Sequence, residues 1–151
     1  MISYFQLAVH FLNRRSANRE RLATVSERPA LSILSKISVV DDDASVRAAI
    51  DNLLSSHGYM VDTFASAEAF LQSPQLEGSS CVIADVQMQG MSGLDLLRYM
   101  RSHGHNMPII LITAFPDESV RAQALQAGAI CFLTKPFAVP DLIDCVKTAL
   151  D

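Results

Sequence analysis

The sequence lacks a hydrophobic run long enough to cross a bilayer. A membrane-spanning helix needs about 18 or more apolar residues in succession, and no such stretch occurs. The apolar segment over residues 2–12 has no preceding cluster of positive charges, so it does not match a secretory signal. These absences predict a cytoplasmic protein with no membrane span.

Cysteine is scarce, and tryptophan is absent. The three cysteines, Cys81, Cys131 and Cys145, are an odd number and form no CxxC pair, which argues against both a disulfide framework and a zinc site. Each lies in an apolar run, and free cysteine behaves as a small hydrophobic residue in protein cores. We therefore expect all three thiols to be buried packing groups.

Positive charge is scarce beyond residue 36. Residues 1–36 contain six basic and two acidic residues, whereas the remainder contains six basic and fourteen acidic ones. This asymmetry predicts a basic N-terminal extension over residues 1–36, poorly ordered or partly helical, and a globular domain over residues 37–151. The acidic balance of the domain argues against direct nucleic acid binding, because such a surface must neutralise phosphates.

Short β-branched runs alternate with amphipathic stretches through residues 37–151. Several of the runs are continuously apolar, as strands covered by helices on both faces must be. The five strand candidates are residues 37–40, 60–64, 81–84, 108–113 and 130–134. The alternation predicts a doubly wound α/β domain built from five βα units around a parallel sheet.

Capping and stop signals bound the predicted helices. Gly58 and Gly128 follow two of the amphipathic stretches, and glycine commonly ends a helix. Ser92 opens a third stretch with capping-box spacing to Asp95, and Pro140 suits the first turn of the last helix. These signals place helices after the first, third, fourth and fifth strands.

Polar residues gather where the predicted strands end. In a doubly wound sheet, the carboxyl ends of the strands line the crevice in which ligands bind. The residues at these ends are Asp41, Asp42 and Asp43 after the first strand, Asp85 after the third, Thr113 at the end of the fourth and Lys135 after the fifth. Several carboxylates in one crevice repel one another unless a cation lies between them, and oxygen ligands of this kind favour Mg²⁺.

These residue types suit the transfer of a phosphoryl group. A carboxylate beside Mg²⁺ can attack phosphorus and become an aspartyl phosphate. The transfer depends mainly on neutralising the phosphoryl oxygens, for which Lys135 offers a positive charge and Thr113 a hydroxyl donor. Asp43 directly precedes an amphipathic stretch, so we interpret it as a helix N-terminal residue with some role in the acidic pocket, and a metal ligand is the alternative.

At these positions the sequence resembles the receiver domains of two-component response regulators, the CheY-like superfamily. The matching groups are Asp41-Asp42-Asp43, the stretch 85–93, Thr113-Ala114 and Lys135-Pro136-Phe137. Segments such as VVDDDASVR and AGAICFLTKPF are most similar to the FixJ branch. The resemblance covers residues 37–150 and implies a flavodoxin-like sheet of five parallel strands, (βα)5, with strand order 2-1-3-4-5.

The resemblance assigns roles to the site residues. It implies that Asp85 is the phosphoacceptor and that Lys135 and Thr113 assist the transfer. The implied Mg²⁺ ligands are Asp41, Asp42, Asp85 and the backbone carbonyl of Gln87, with Mn²⁺ as an alternative ion. Asp42 would bind the ion directly, and Asp41 mainly through water or Lys135.

The resemblance also implies a switch and exposes one departure from the family. Family members couple the Thr113 position to the aromatic at Phe132, and the Lys135–Pro136 peptide is typically cis, which only an X–Pro bond adopts cheaply. Gln89 stands where the family usually has proline. Proline fixes φ, so its loss leaves the loop after the third strand less constrained.

The implied partners are a sensor histidine kinase or histidine phosphotransfer protein upstream and a protein target downstream. The target, or a second copy in a homodimer, is expected on the face formed by the fourth helix, the fifth strand and the fifth helix. No output domain follows Asp151 in this sequence, which predicts a stand-alone regulator. We expect no enzyme activity beyond self-phosphorylation and slow autodephosphorylation.

Two alternative functions remain open. A small aspartyl-phosphate phosphatase on a Rossmann-like scaffold would carry its nucleophile on the first strand, whereas the isolated aspartate here follows the third, and no cap insertion is present to recognise a substrate. A pseudo-receiver that binds partners without phosphorylation would not need the full set of Asp41, Asp42, Asp85, Thr113 and Lys135, which is intact.

Overall fold

The fold is taken from a computed structural model that describes residues 35–151. The predicted extension over residues 1–36 therefore lies outside the described residues, apart from its last two. The strands are β1 Lys36–Val40, β2 Met60–Phe64, β3 Cys81–Asp85, β4 Ile109–Thr113 and β5 Cys131–Thr134. The helices are α1 Ala44–Ser56, α2 Ala67–Leu71, α3 Gln75–Gly78, α4 Gly93–Ser102, α5 Glu118–Gln126 and α6 Val139–Leu150.

The five strands form one parallel sheet in the order β2-β1-β3-β4-β5, which confirms the predicted topology. Their register aligns the carboxyl ends. Val40 at the end of β1 pairs with Ala84 of β3, and Thr113 at the end of β4 pairs with Thr134 of β5. The residues that follow these pairs therefore emerge together at one edge of the sheet.

Helices cover both faces of the sheet. Alternate residues of β3 point to opposite sides, so that Val82 and Ala84 pack in a first hydrophobic core and Cys81 and Ile83 in a second. Residues of α2, α4 and α5 close the first core, and residues of α1 and α6 close the second. The central strands β3 and β4 are apolar up to their last residues, Asp85 and Thr113, because both of their faces are buried.

The connection between β2 and β3 differs from the predicted single helix. It contains two short helices, α2 and α3, so that six helices are present over residues 35–151. Pro74 disfavours the helical conformation of Ser73, which interrupts the connection after α2. The longest helix, α1, has 13 residues, and none in this part of the chain is long and apolar enough to cross a bilayer.

Side-chain caps set the starts of several helices. Asp43, Ser92 and Asp117 each accept hydrogen bonds from backbone N–H groups in the first turns of α1, α4 and α5. The Ser92 hydroxyl accepts the N–H of Asp95 at 3.0 Å, which confirms the predicted start of α4. Pro140 occupies the first turn of α6, also as predicted.

The expectation that all three cysteines are unpaired was wrong. Cys131 at the start of β5 and Cys145 in α6 are joined by a disulfide bond, whereas Cys81 is free and buried in β3. The two bonded residues are separated by 14 positions and match no spacing motif. Their proximity arises because α6 packs back against the strand that precedes it, which sequence spacing does not reveal.

We predict that Gly93→Ala destabilises the domain by about 1 to 3 kcal/mol, the usual cost of overpacking. A Cβ atom at Gly93 would contact the backbone oxygen of Asp85 and lie 2.9 Å from its carbonyl carbon, so helix and strand would have to separate. Gly78→Ala is the matched control, because no atom lies within 4 Å of its added Cβ. Denaturant unfolding measures both variants, and equal stability of the two would contradict the prediction.

Candidate functional site

Three of the predicted carboxylates converge at the carboxyl edge of the sheet. The pairing of Val40 with Ala84 brings the next residues, Asp41 and Asp85, side by side. One carboxylate oxygen from each of Asp41, Asp42 and Asp85 lies within 4.8 Å of the others. Asp41 is 2% exposed and Asp85 7%, whereas Asp42 faces solvent. The cluster is therefore open to an ion or a reactant on the side of Asp42.

Lys135 connects the two buried carboxylates. Its Nζ atom donates hydrogen bonds to Asp85 Oδ2 at 2.9 Å and to Asp41 Oδ2 at 3.0 Å. The side chain is placed by the end of β5, since the Lys135 N–H also donates to the Thr113 carbonyl at 2.7 Å. The Lys135–Pro136 peptide that follows is cis.

The pKa values of this pair reflect burial and charge together. Burial raises the pKa of Asp85, and the neighbouring charge of Asp41 raises it further, although the hydrogen bond from Lys135 acts in the opposite direction. Burial opposes the charged form of Lys135, but the hydrogen bonds to Asp85 and Asp41 outweigh it, and the pKa of Lys135 is raised. Lys135 therefore stays protonated at neutral pH.

The ionised cluster carries an excess of negative charge. Three carboxylates and one ammonium leave a formal charge of −2, which a divalent cation would neutralise. Carboxylate oxygens are the ligands that hard cations such as Mg²⁺ prefer. The donor set of Asp41, Asp42 and Asp85 therefore fits Mg²⁺.

Asp43 lies outside this cluster. Its Oδ1 atom accepts the N–H of Ser45 at 2.9 Å, the N–H of Val46 at 3.3 Å and the hydroxyl of Ser45 at 2.6 Å. The hydrogen bonds from Ser45 are the main cause that lowers the pKa of Asp43. Of the two interpretations of Asp43, the structure supports the helix cap.

The Thr113 hydroxyl is hydrogen-bonded to the side chain of Gln87, a side chain for which the sequence predicted no role. Thr113 is fully buried, and its Oγ1 atom donates to Gln87 Oε1 at 2.7 Å and accepts the N–H of Phe115 at 3.0 Å. The backbone N–H of Gln87 donates to Asp85 Oδ1 at 3.1 Å. Gln87 thus contacts both the Asp85 carboxylate and the Thr113 hydroxyl, whereas only its backbone carbonyl was predicted to take part in the site.

Phe132, the other predicted switch residue, is 8% exposed and packs in the first core. It pairs with Leu111 on the neighbouring strand, two positions before Thr113. The two predicted switch residues are therefore on adjacent strands, and their coupling stays a prediction.

Two carboxylates hold the loop in which Gln89 replaces the usual proline. The Gln89 N–H, which proline would lack, donates to Asp42 Oδ2 at 3.3 Å, and the Met91 N–H donates to Glu68 Oε1 at 2.7 Å. The hydrogen bond from Met91 lowers the pKa of Glu68. Between these contacts, Gly90 adopts a positive φ of 78° and lies against Glu68. No pattern in the sequence marks Glu68 as a site residue, because a glutamate just after a cap residue is typical of any helix N-terminus.

Comparison with known proteins identifies the domain. The family model described as "Response regulator receiver domain" matches residues 37–147. The chain belongs to the response regulator receiver family. The resemblance found in the sequence is therefore confirmed, and the acidic cluster is the place where receivers bind Mg²⁺.

The receiver is similar to several characterised regulators. "Response regulator protein TmoT" of Ectopseudomonas mendocina is 43% identical over 77% of this chain and 53% of its own length. "Transcriptional regulatory protein FixJ" of Bradyrhizobium diazoefficiens is 36% identical over 76% of this chain and 56% of its own length. A solved structure named FIXJ-N has a TM-score of 0.70 at 32% identity and covers 77% of this chain and 93% of that one.

The chain spans about half the length of the curated relatives that it matches. Some of these relatives are named transcriptional regulatory proteins. The prediction of no direct nucleic acid binding conflicts with such a role in these longer relatives, and the expectation of a stand-alone regulator gains no support.

We predict that Mg²⁺ raises the Tm of the receiver. Binding to the folded site alone should contribute roughly 2.7 kcal/mol at ~100 times the Kd. Asp42→Asn should remove most of this effect, while the metal-free variant becomes more stable than wild type because repulsion in the cluster falls. Thermal melts of both proteins with and without Mg²⁺ measure the effect.

Asp43→Asn is the matched control for this experiment. It removes one negative charge from the adjacent position but keeps a good helix cap, since asparagine caps about as well as aspartate. It should retain the Mg²⁺-dependent rise in Tm. A full rise in Asp42→Asn, or an equal loss in both variants, would mean that Asp42 is not a specific ligand.

Proposed function

We propose that this receiver accepts a phosphoryl group onto Asp85 from a phosphohistidine of a sensor histidine kinase or a histidine phosphotransfer protein. The observation that carries the proposal is the contact of Lys135 with Asp85 at 2.9 Å inside a cluster with Asp41 and Asp42. This contact supports the proposal because a buried carboxylate lies next to a positive charge and to two further carboxylates that could bind a cation. The cytoplasm is the proposed location, as is expected for a partner of such kinases.

The proposed transfer exchanges one bond to phosphorus for another. A carboxylate oxygen of Asp85 forms a bond to phosphorus as the bond to the histidine nitrogen breaks, and the electron pair stays on the imidazole. Asp41, Asp42, Asp85 and the Gln87 carbonyl would hold Mg²⁺, or Mn²⁺ in its place, and the bound ion would supply positive charge that neutralises the phosphoryl oxygens. Lys135 holds the carboxylate of Asp85 in position and adds positive charge on the same side.

The Gln87 N–H has a separate part in this proposal. It donates to Asp85 Oδ1 while Lys135 donates to Oδ2, so both oxygens of the acceptor are oriented before the reaction. Such preorganisation lowers the cost of reaching the reactive geometry. Thr113, across the pocket, donates its hydroxyl hydrogen bond to Gln87 Oε1 until a stronger acceptor arrives.

The phosphoryl group provides that stronger acceptor. A charged phosphoryl oxygen forms a stronger hydrogen bond than a neutral amide oxygen, so we propose that the Thr113 hydroxyl moves to it. The movement would be coupled to Phe132 and so to the face formed by α5, β5 and α6. A downstream protein target, or a second copy of the chain, would bind there.

A separate enzymatic function has less support. A phosphatase of this kind carries its nucleophile after the first strand, whereas the aspartate proposed here as the acceptor, Asp85, ends the third strand. Turnover is proposed to be limited to self-phosphorylation and slow autodephosphorylation. A phosphorylation-independent pseudo-receiver is disfavoured because every group that the transfer needs lies at this one edge of the sheet.

We predict that Asp85→Asn cannot be phosphorylated. The amide is nearly isosteric with the carboxylate but is a poor nucleophile, so the fold should persist. Incubation with acetyl phosphate and Mg²⁺ should add one phosphoryl group, about 80 mass units, to wild type and to the control variant Asp43→Asn, but not to Asp85→Asn. An adduct that forms equally on Asp85→Asn would refute the assignment, and circular dichroism would verify that the variant is folded.

We predict that Thr113→Ala still accepts the phosphoryl group but no longer transmits the conformational change to Phe132 and α6. Without the hydroxyl, phosphorylation should leave the amide chemical shifts of Phe132 and α6 nearly unchanged, whereas wild type should show large changes. Gln87→Leu is the comparison variant, because it removes the resting partner of the hydroxyl and leaves the hydroxyl itself. Full shift changes in phosphorylated Thr113→Ala would contradict the coupling.

A further inference from the structure

The disulfide between Cys131 and Cys145 connects the last strand to the last helix. Cys131 is the first residue of β5, Cys145 lies in the middle of α6, and their Cα atoms are 6.1 Å apart. This separation lies within the range that a disulfide bridges without backbone movement. The two cysteines are therefore in position to open or close the bond within the folded domain.

The bond lies on the side of β5 that faces away from Phe132. Successive residues of a strand point to opposite faces, and here Cys131 and Leu133 pack against the second core together with Cys145, whereas Phe132 packs in the first. The closed ring of residues 131–145 nevertheless includes both Phe132 and Lys135. Closure therefore ties the segment that carries a switch residue and a site residue to α6.

The three thiols of the chain differ in their access to reagents. Cys131 is partly exposed and Cys145 is 8% exposed, so a small reagent can reach the pair through Cys131. Cys81 is fully buried, and burial raises the pKa of its thiol to about 12. Because the thiolate is the reacting form, Cys81 should be inert while the pair reacts.

We propose that Cys131 and Cys145 form a reversible dithiol–disulfide site that exchanges with small disulfides of the glutathione class. A thiolate of the pair attacks the small disulfide and releases one small thiol, and the second thiolate then attacks the mixed disulfide and releases the other. The pair loses two electrons and two protons, and the small disulfide becomes two thiols. Reduction by the small thiol runs through the same steps in reverse.

The compartment proposed for this chain favours a reversible disulfide over a permanent one. Disulfides in reducing compartments are usually transient and report redox state, and the proposed function places the chain in such a compartment. The effect of the disulfide on signalling rests on that proposed function and is separate from the thiol–disulfide exchange itself. Closure would restrain β5 against α6, two elements of the proposed partner face, so it should weaken the response to phosphorylation without preventing phosphorylation of Asp85.

The exchange is tested on the full chain in a series of buffers with different ratios of oxidised to reduced glutathione. After acid quenching, denaturation and alkylation with a maleimide, intact mass counts the free thiols. The reduced protein should carry three maleimide adducts. The oxidised protein should carry one, on Cys81, because Cys131 and Cys145 lose their adducts together when the disulfide forms. Native alkylation of the reduced protein should modify Cys131 and Cys145 well before Cys81.

Three variants identify the pair. Cys131→Ser and Cys145→Ser should each abolish the paired loss of adducts, and Cys81→Ala should retain it with the same midpoint. Asp85→Asn should also show the wild-type midpoint, so the redox result does not depend on phosphorylation. Stable glutathione adducts on single cysteines without ring closure, or the absence of oxidation in every buffer, would overturn the proposal.

A second measurement distinguishes a closed ring from a surface modification. Closing a loop of this length should raise the Tm of the oxidised wild type by roughly 5 to 10 °C. Cys145→Ser should show no such rise, because no ring can form. If the oxidised wild type gained nothing over the reduced form, the bond would not restrain the folded domain, and the proposed effect on the partner face would be wrong.

Discussion

The site depends on one ammonium group held between two buried carboxylates. Asp41 and Asp85 would repel each other at the carboxyl edge of the sheet if Lys135 did not donate to both at about 3 Å. That contact requires β1, β3 and β5 to end at the same level, although β5 lies two strands away from β3 in the sheet. Strand register, more than any local motif, therefore brings the reacting groups together.

Acidic residues also have a structural part in positioning the site. Where the family usually restricts the loop after β3 with proline, this chain uses the N–H groups of Gln89 and Met91 as donors to Asp42 and Glu68. Asp42 belongs to the acidic cluster, and Glu68 belongs to α2. The conformation of the loop is thereby linked to the state of Asp42, a connection that a proline at position 89 would not provide because it has no N–H to donate.

Much of this arrangement could be predicted from the sequence, because continuously apolar strands and polar residues at strand ends are local patterns. The sheet order and the convergence of Asp41, Asp42 and Asp85 followed from these patterns and the family resemblance. The contacts of Gln87 with Thr113, of Glu68 with Met91 and of Cys131 with Cys145 could not be predicted. Each joins segments distant in sequence through side chains that are common on any helix, strand or loop.

The resting hydrogen bond of the Thr113 hydroxyl limits how far a phosphoryl group on Asp85 could shift the population of the proposed two states. A hydroxyl has a single proton, so a bond to a phosphoryl oxygen replaces the bond to Gln87 and is not an addition to it. The gain is the difference between a charge-assisted and a neutral hydrogen bond, about 1 kcal/mol, which shifts a two-state population only about fivefold. Under the proposed mechanism, this hydrogen bond alone would supply part of the shift between the two states, and the other contacts of the phosphoryl group and the binding of a partner would supply the rest.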